Sequence, residues 1–365
     1  MAKNDDGSPV RFGIMGCAVI ARKLAAAIAV APSAALVAVA SRSIDKAQQF
    51  AVRNNLSKEV KLYGSYEELL EDPSVDAVYL PLPTSLHVRW VTAAAEKGKH
   101  VLLEKPTALD AKMLDEMLHA CEANRVQFMD ASMWYHHPRT LRMKGFVSNR
   151  EKFGEIKSIH SSSSFHGSPN FLKNDIRVKA ELDGLGALGD TGWYCIGAIL
   201  WAMDQKLPTT VRALPAAIKN DAGVILSCRG SMNWGEEGTV ATFHCSFVAH
   251  ATQDLVVCGS KATIHVEDFI IPFDDRRGVF RSTIGAEFLE LHVGWSVKGE
   301  EVVVGNEMVQ EGLMVEELSR LVKGVRDGGV EPDLKWGRTA MATQLVLDAV
   351  RVSIDGGYQP VHMYN

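Results

Sequence analysis

The sequence predicts an α/β protein in two halves: a doubly wound parallel sheet with helices on both faces, then a half built on mainly antiparallel strands. Three observations carry this. Up to Asp130 the chain alternates short apolar runs with longer stretches of helical spacing. Beyond about residue 150, strand-like runs follow one another without intervening helices. The chain has 365 residues, enough at roughly 150 per domain to bury two cores.

In the first half the strand candidates are Arg11–Met15, Leu36–Ala40, Ala77–Leu80, Val101–Leu103 and Val126–Met129. Helical spacing covers Ile44–Asn54, Leu86–Lys97 (ending at Gly98) and Ala111–Asn124, with Asp110 as N-cap. Ser65 and Glu68 form a capping-box pattern. In the second half, Thr239–Phe247 alternates two faces, with Val240, Thr242, His244 and Ser246 on the more polar one. Leu255–Cys258 and Ala262–Val266 flank Gly259-Ser260-Lys261 as a hairpin. Glu155–Phe165, Leu289–Val293 and Glu301–Val304 are further strand candidates. Met314, Leu318, Leu321, Val322 and Val325 mark one late helix, and Gly337–Ile354 a second. The expected domains are 1–135 and 136–365. The last helix, about 337–354, is open to packing back on the first.

Apolar residues make up 47% and charged residues 23% of the chain, near the soluble average, which excludes a disordered or fibrous protein. The net charge of −5, without a basic block, disfavours nucleic acid and anionic membrane as partners. No apolar run approaches the roughly 18 residues of a membrane helix. The opening Met1-Ala2-Lys3-Asn4-Asp5-Asp6-Gly7 lacks the pattern of a signal peptide. The six cysteines form no C-x-x-C pair and mostly sit in apolar stretches, so a reducing, cytoplasmic location is expected. No zinc site is expected. Of the adjacent His136 and His137, one is expected exposed and one packed.

Gly16-Cys17-Ala18-Val19-Ile20-Ala21 closes the first strand and opens a helix, matching G-x-G-x-x-A except in the middle. That pattern turns tightly and presents helix N–H groups to a pyrophosphate. An NAD enzyme places a carboxylate at the end of the second strand to bind ribose hydroxyls. Here Ser41 and Arg42 stand there, roughly 25 residues beyond the turn, with Lys46 close behind and no acid before Asp45. Arginine suits a 2′-phosphate, so NADP is the expected cofactor, with NAD as the alternative.

Three more segments carry a resemblance: Pro81-Leu82-Pro83-Thr84-Ser85-Leu86-His87, Glu104-Lys105-Pro106, and Gly184-Leu185-Gly186-Ala187-Leu188-Gly189-Asp190-Thr191-Gly192-Trp193-Tyr194. In this order and spacing, together with Trp336-Gly337, they resemble the glucose–fructose oxidoreductase / inositol dehydrogenase (Gfo/Idh/MocA) family over nearly the whole chain. The likeness is strongest to the branch containing dimeric dihydrodiol dehydrogenase and glucose–fructose oxidoreductase. The resemblance implies an N-terminal Rossmann domain and a C-terminal α/β domain with an open, mainly antiparallel sheet. It implies NAD(P) as cofactor, Lys105, Asp190 and Tyr194 as the catalytic set, and pairing of two chains. Three residues depart from the family: Ala18 for glycine, Thr84 for asparagine and His136 for arginine.

The expected cofactor contacts are Gly16, Cys17, Ala18, Val19, Ile20, Ser41, Arg42, Lys46, Pro81, Leu82, Pro83, His87, Glu104, Lys105 and Trp134. The expected substrate contacts are Lys105, Tyr135, His166, Arg177, Asp190 and Tyr194. Trp134 and Tyr135 either flank the nicotinamide or close the domain junction. Tyrosine is a poor base at a pKa of about 10, and a nearby ammonium lowers that value. Asp190 and Tyr194, four apart, share one face of a helix. The glycines at 184, 186, 189 and 192 are expected to let that helix approach the cofactor domain. The expected activity is hydride transfer between NADP and a CH–OH or C=O group of a sugar, polyol or cyclic diol. Two rival readings are a nucleotide-binding regulator without turnover and an NAD-dependent glycoside hydrolase. The partners expected are a small-molecule substrate and a second copy of the chain.

Overall fold

Strand β1, Val10–Met15, runs into the glycine turn and helix α1, Ala21–Val30. A computed structural model describes residues 7–235, 238–288 and 296–363. From α1 the chain continues through β2 (Ala34–Ala40), α2 (Ile44–Arg53), β3 (Lys61–Tyr63), α3 (Tyr66–Glu71), β4 (Ala77–Leu80), α4 (His87–Glu96), β5 (His100–Leu103), α5 (Ala111–Ala123) and β6 (Phe128–Asp130). The six strands are parallel in the order β3-β2-β1-β4-β5-β6. This is the dinucleotide-binding order, with its switch point between β1 and β4. Asp110 caps α5 by accepting from the Met113 N–H at 2.8 Å. Ser65 accepts from the Glu68 N–H at 3.3 Å, while Glu68 reaches one residue further back, to the Gly64 N–H at 3.0 Å.

The chain divides into two compact units, Met1–His136 with Met308–Met341, and His137–Glu307 with Ala342–Asn365. In the second unit α6 (Pro138–Val147) precedes β7 (Ile156–His166), the short α7 (Pro169–Asn174) and the long α8 (Gly186–Ala202). Then come β8 (Thr210–Ala213), β9 (Ile218–Lys219), β10 (Ile225–Trp234), β11 (Thr239–Ser246), β12 (Val248–Gly259), β13 (Ala262–Val266), β14 (Arg277–Ile284) and β15 (Glu300–Gly305). The sheet order is β15-β14-β13-β12-β7-β11-β10-β8-β16, where β16 is Val361–His362 and β9 pairs with β10. All pairs are antiparallel except β7 with β11. Cys258 faces Thr263 across the expected hairpin. The expected strand Leu289–Val293 lies outside the described residues.

Two helices complete the chain: α9 (Gln310–Arg326) and α10 (Lys335–Asp355). Helix α9 belongs with the first unit, where Met314, Val315, Leu318 and Val322 join Val10, Phe12, Leu24 and Ile28 in one core. Burying each such side chain contributes about 1.5–3 kcal/mol. Lys23 pairs with Glu311 at 2.6 Å, and Arg326 with Asp76 at 3.2 Å, at either end of α9.

Helix α8 lies on one face of β7, β10 and β11. Gly186 has φ +61°, and a Cβ there would stand 2.0 Å from the Ile225 carbonyl oxygen. At Gly192 the nearest atom would be Cys245 Sγ, at 3.1 Å. These two glycines therefore admit the helix to its own sheet, where the sequence suggested the cofactor domain. On the opposite face Val240 is 43% exposed, and Thr242 and His244 are half-buried. Ser246 departs from the expected pattern. It is fully buried, and its hydroxyl accepts from the Val248 N–H at 3.0 Å where the chain turns into β12.

His136 and His137 also differ from expectation, since neither is exposed. His136 lies 4.6 Å from the Trp336 ring, and its burial, with Lys335 nearby, lowers its pKa to about 3. His137 caps α6, its Nδ1 accepting from the Arg139 N–H at 2.9 Å.

Candidate active site

Gly16 adopts φ +127°, a conformation that disfavours any side chain, and a Cβ there would stand 2.9 Å from Leu82 Cδ2. Its N–H donates to the Ala40 carbonyl at 2.9 Å, which ties the turn to the end of β2. Among the described residues, the N–H groups of Cys17, Ala18, Val19 and Ile20 have no acceptor, and no side chain caps α1. Val19 is 83% exposed. The free donors and the helix dipole make this turn an anion cradle. The Ala18 methyl is only half-buried.

The Cys17 thiol is pushed up by burial, while a hydrogen bond from Ser41 and the charge of Lys46 oppose the rise. Cys17, Ser41 and Lys46 therefore gather at one place. Arg42 is exposed, has no carboxylate partner among the described residues, and lies near enough to Tyr66 to act on its hydroxyl. The residues present fit a dinucleotide whose ribose carries a phosphate: a bare amide cradle at one strand end and an unpaired guanidinium at the next.

The loops after β4 and β5 are fastened together by His87, which is 1% exposed. Its Nδ1 lies 2.9 Å from the Thr107 carbonyl oxygen and its Nε2 2.9 Å from that of Leu82. Pro81 and Leu82 are buried against the Gly16 turn. Glu104 is anchored by the Tyr79 hydroxyl, which donates to its carboxylate, and by the Lys105 N–H at 3.2 Å. Half-buried Lys105 thus leaves the carboxyl edge of the sheet, where doubly wound folds bind ligands. The Lys105–Pro106 peptide is cis. Tyr79 lies outside the residues expected from sequence; its signal is a tyrosine inside an otherwise apolar buried strand, whose hydroxyl needs a partner.

Trp134 is 1% exposed and stacks at 4.2 Å on Tyr135, which meets Trp336 edge-on at 5.9 Å. These rings and His136 form an aromatic group within the first unit.

In the second unit Asp190 and Tyr194 stand one turn apart on α8, with Tyr194 8% exposed. Arg177 Nε lies 3.1 Å from Asp190 Oδ1, and its Nη1 donates to Asp175 at 3.1 Å. The structure thus brings Arg177 to Asp190, and adds Asp175, which sequence reasoning had not singled out. His166 ends β7, exposed, with Nδ1 3.2 Å from the Gly167 carbonyl oxygen. Phe165, Phe171, Val178, Ala187 and Phe247 pack together beneath this segment.

Residues 10–132 match the oxidoreductase family with an NAD-binding Rossmann fold, and residues 142–265 match the GFO/IDH/MocA C-terminal domain. An uncharacterized oxidoreductase of Rhizobium meliloti is 39% identical over 52% of this chain and 54% of that protein, so the match spans about half of that relative. A dTDP-3,4-didehydro-2,6-dideoxy-α-D-glucose 3-reductase of Saccharopolyspora spinosa is 33% identical over 75% of this chain and 79% of that protein. A D-xylose 1-dehydrogenase (NADP(+)) of Haloferax volcanii is 36% identical over 66% of this chain and 71% of that protein. Among solved structures, a 3-ketoreductase from Actinomadura kijaniata in complex with NADP and TDP-benzene superposes with a TM-score of 0.78 at 25% identity, covering 94% of this chain and 98% of that one. The chain belongs to the GFO/IDH/MocA oxidoreductase family.

Proposed function

We propose that this protein is an NADP-dependent oxidoreductase that moves a hydride between the nicotinamide and a CH–OH or C=O group of a sugar, polyol or cyclic diol. The observation that carries the reading is the presence, in one chain of this family, of Lys105 at the carboxyl edge of the parallel sheet and of Asp190 and Tyr194 one turn apart on α8. The Saccharopolyspora spinosa and Haloferax volcanii relatives, named as a reductase and a dehydrogenase of sugars, support the substrate class.

The cofactor supplies the hydride acceptor or donor. The N–H groups of residues 17–20 hold its pyrophosphate, and Arg42 with Ser41 and Lys46 holds the ribose phosphate. Pro81–Pro83 and His87 shape the wall beside the turn, Glu104 steadies Lys105, and Trp134 backs the aromatic group. Tyr194 takes the proton from the alcohol during oxidation and returns it during reduction. The Lys105 ammonium favours the phenolate form, and Asp190 orients the reacting hydroxyl. Tyr135 and His166 are the further substrate contacts.

The assembly proposed is a homodimer in the cytoplasm, paired through the face of the second sheet that α8 leaves open. Val240, Thr242 and His244 on that face are too mixed for a core and suited to an interface. No helix among the described residues is long and apolar enough to cross a membrane. Light scattering at micromolar concentration is expected to give the mass of two chains; one chain's mass overturns the dimer.

The activity is tested by following absorbance of the reduced cofactor over a set of aldoses, polyols and aromatic diols, with NADP and NAD in parallel. Turnover with NADP and at least one member supports the reading. Binding of NADP without turnover on any member favours a regulator. NAD(H) retained through purification favours the glycoside hydrolase.

A further inference from the structure

Arg177 stands in the single helical turn Ile176–Val178, between two carboxylates. Asp175 precedes it and accepts from the Arg177 N–H at 3.0 Å and from Nη1 at 3.1 Å. Asp190, on α8, faces Nε at 3.1 Å. The Asp190 side chain is only 12% exposed and that of Arg177 36%. The guanidinium is held above its usual value by Asp190 first, with burial opposing and Asp175 adding. An arginine so engaged serves its own chain before any ligand. The side chain it serves lies one turn from the proposed proton carrier.

We infer that Arg177 is a positioning residue for Tyr194: it neutralises Asp190 and fixes the direction of its carboxylate, so that the reactive face of α8 carries no uncompensated negative charge. This rests on the reading of Tyr194 as the acid/base. A phenolate forming one helical turn from a bare carboxylate is opposed by like charge. The thiols packed around this part of α8 bring no positive charge to offset it. Cys195 on the helix and Cys245 beneath it are pushed up by burial, which keeps the thiols neutral. Cys228 lies behind Cys245, 3.4 Å from it. Asp190 itself is close enough to raise Cys245 further. Arg177 is a cation that faces Asp190 directly, within the same unit. Its planar fork also suits the task better than an ammonium, because two carboxylates approach it from two edges.

The test needs no substrate. Phenolate absorbance is titrated in the enzyme and in its Tyr194→Phe counterpart, and the difference reports Tyr194 alone among the seven tyrosines. The same difference is taken between Arg177→Met and Arg177→Met/Tyr194→Phe. The Arg177→Met midpoint is expected about one pH unit or more above that of the unaltered enzyme. Arg177→Lys, which keeps the charge, is expected to bring most of the shift back. Arg177→Met/Asp190→Asn, which removes the charge being compensated, is expected to do the same. Asp175→Asn leaves the Arg177–Asp190 pair intact and is expected to leave the midpoint in place. Far-ultraviolet circular dichroism and the urea-unfolding midpoint check that each variant is folded, and Arg177→Gln carries the same prediction should Arg177→Met not fold. An unmoved midpoint in Arg177→Met, or one displaced equally in Arg177→Lys, overturns the inference and leaves Arg177 a packing residue. Failure of the functional reading is seen separately, as turnover that survives Tyr194→Phe.

Discussion

The buried Tyr79 hydroxyl donates to the Glu104 carboxylate, and Glu104 in turn accepts from the Lys105 N–H. One strand thereby steadies the end of its neighbour, where Lys105 begins its reach. Tyr79 is 1% exposed, so no water replaces its hydroxyl without entering the sheet. Removing it as Tyr79→Phe leaves the ring packed and the carboxylate short of a donor. A hydrogen bond to a charged group contributes about 1.5–3 kcal/mol, and a loss of that order is expected in urea unfolding. Turnover is expected to fall with little change in NADP affinity, because the turn at Gly16 is untouched. Unchanged stability and turnover together would show that the pair is incidental.

Arg42 should decide between the two nicotinamide cofactors. It is exposed and free of any carboxylate among the described residues, at the end of β2. Charge-assisted hydrogen bonds to a phosphate are about twice as strong as neutral ones. Arg42→Asp is therefore expected to weaken NADP binding by roughly ten- to a hundredfold and to level or reverse the preference over NAD. Titration of intrinsic fluorescence with each cofactor measures this. Equal affinities for the two in the unaltered protein would sink the assignment.

How much of this could be read from the sequence depended on how local each feature is. The Gly16 turn, the Asp110 cap and the Ser65 cap are settled within a few residues, and they stand where the pattern put them. The spacing of Met314, Leu318 and Val322 named a buried face but not its partner, so the return of α9 to the first unit was not visible. Strand β10 is not marked in the sequence, because Ser227 and Gly230 occupy two of its buried positions and hide the apolar alternation. Gly230 is small because Phe243 of β11 fills the space a Cβ would take. At the candidate site, a helix face placed Asp190 beside Tyr194, but the pairing with Arg177 crosses a loop and needed the fold.

Buried histidines make the protein acid-sensitive above the carboxylate range. His100 is lowered to about 4 by burial, and its Nδ1 accepts from the Gln127 N–H at 2.8 Å. His137 is lowered to about 4 by burial, then by Arg139, and its Nδ1 likewise accepts a backbone N–H. Both must be neutral in the folded state, while in the unfolded chain they protonate near their usual 6.5. The unfolded state thus binds more protons between about pH 6.5 and 4. Stability is fully present above that window and falls by up to about 1.4 kcal/mol per pH unit for each histidine as pH drops through it. His100→Gln should flatten part of this slope in urea unfolding between pH 7 and pH 4.5. A slope identical to that of the unaltered protein would remove His100 from the account.

Tyr194→Phe is the most direct test of the chemistry. The substitution removes only the phenolic oxygen, and the ring stays packed on α8, where Tyr194 is 8% exposed. NADP binding should survive, since the cradle at Gly16 and the guanidinium of Arg42 belong to the other unit. Loss of a general acid/base costs typically 10²–10⁴ in rate, or roughly 3–5 kcal/mol of barrier. Lys105→Met should do comparable damage by stripping the charge proposed to favour the phenolate, and it should move the rising limb of the oxidation rate to higher pH. The double variant should be little worse than either single one, because groups that act as a unit are not additive. Single-turnover measurement of reduced-cofactor absorbance separates the chemical step from product release. Should Tyr194→Phe keep more than about a tenth of the turnover, tyrosine does not carry the proton. The role would then pass to Lys105, or to a histidine such as His166.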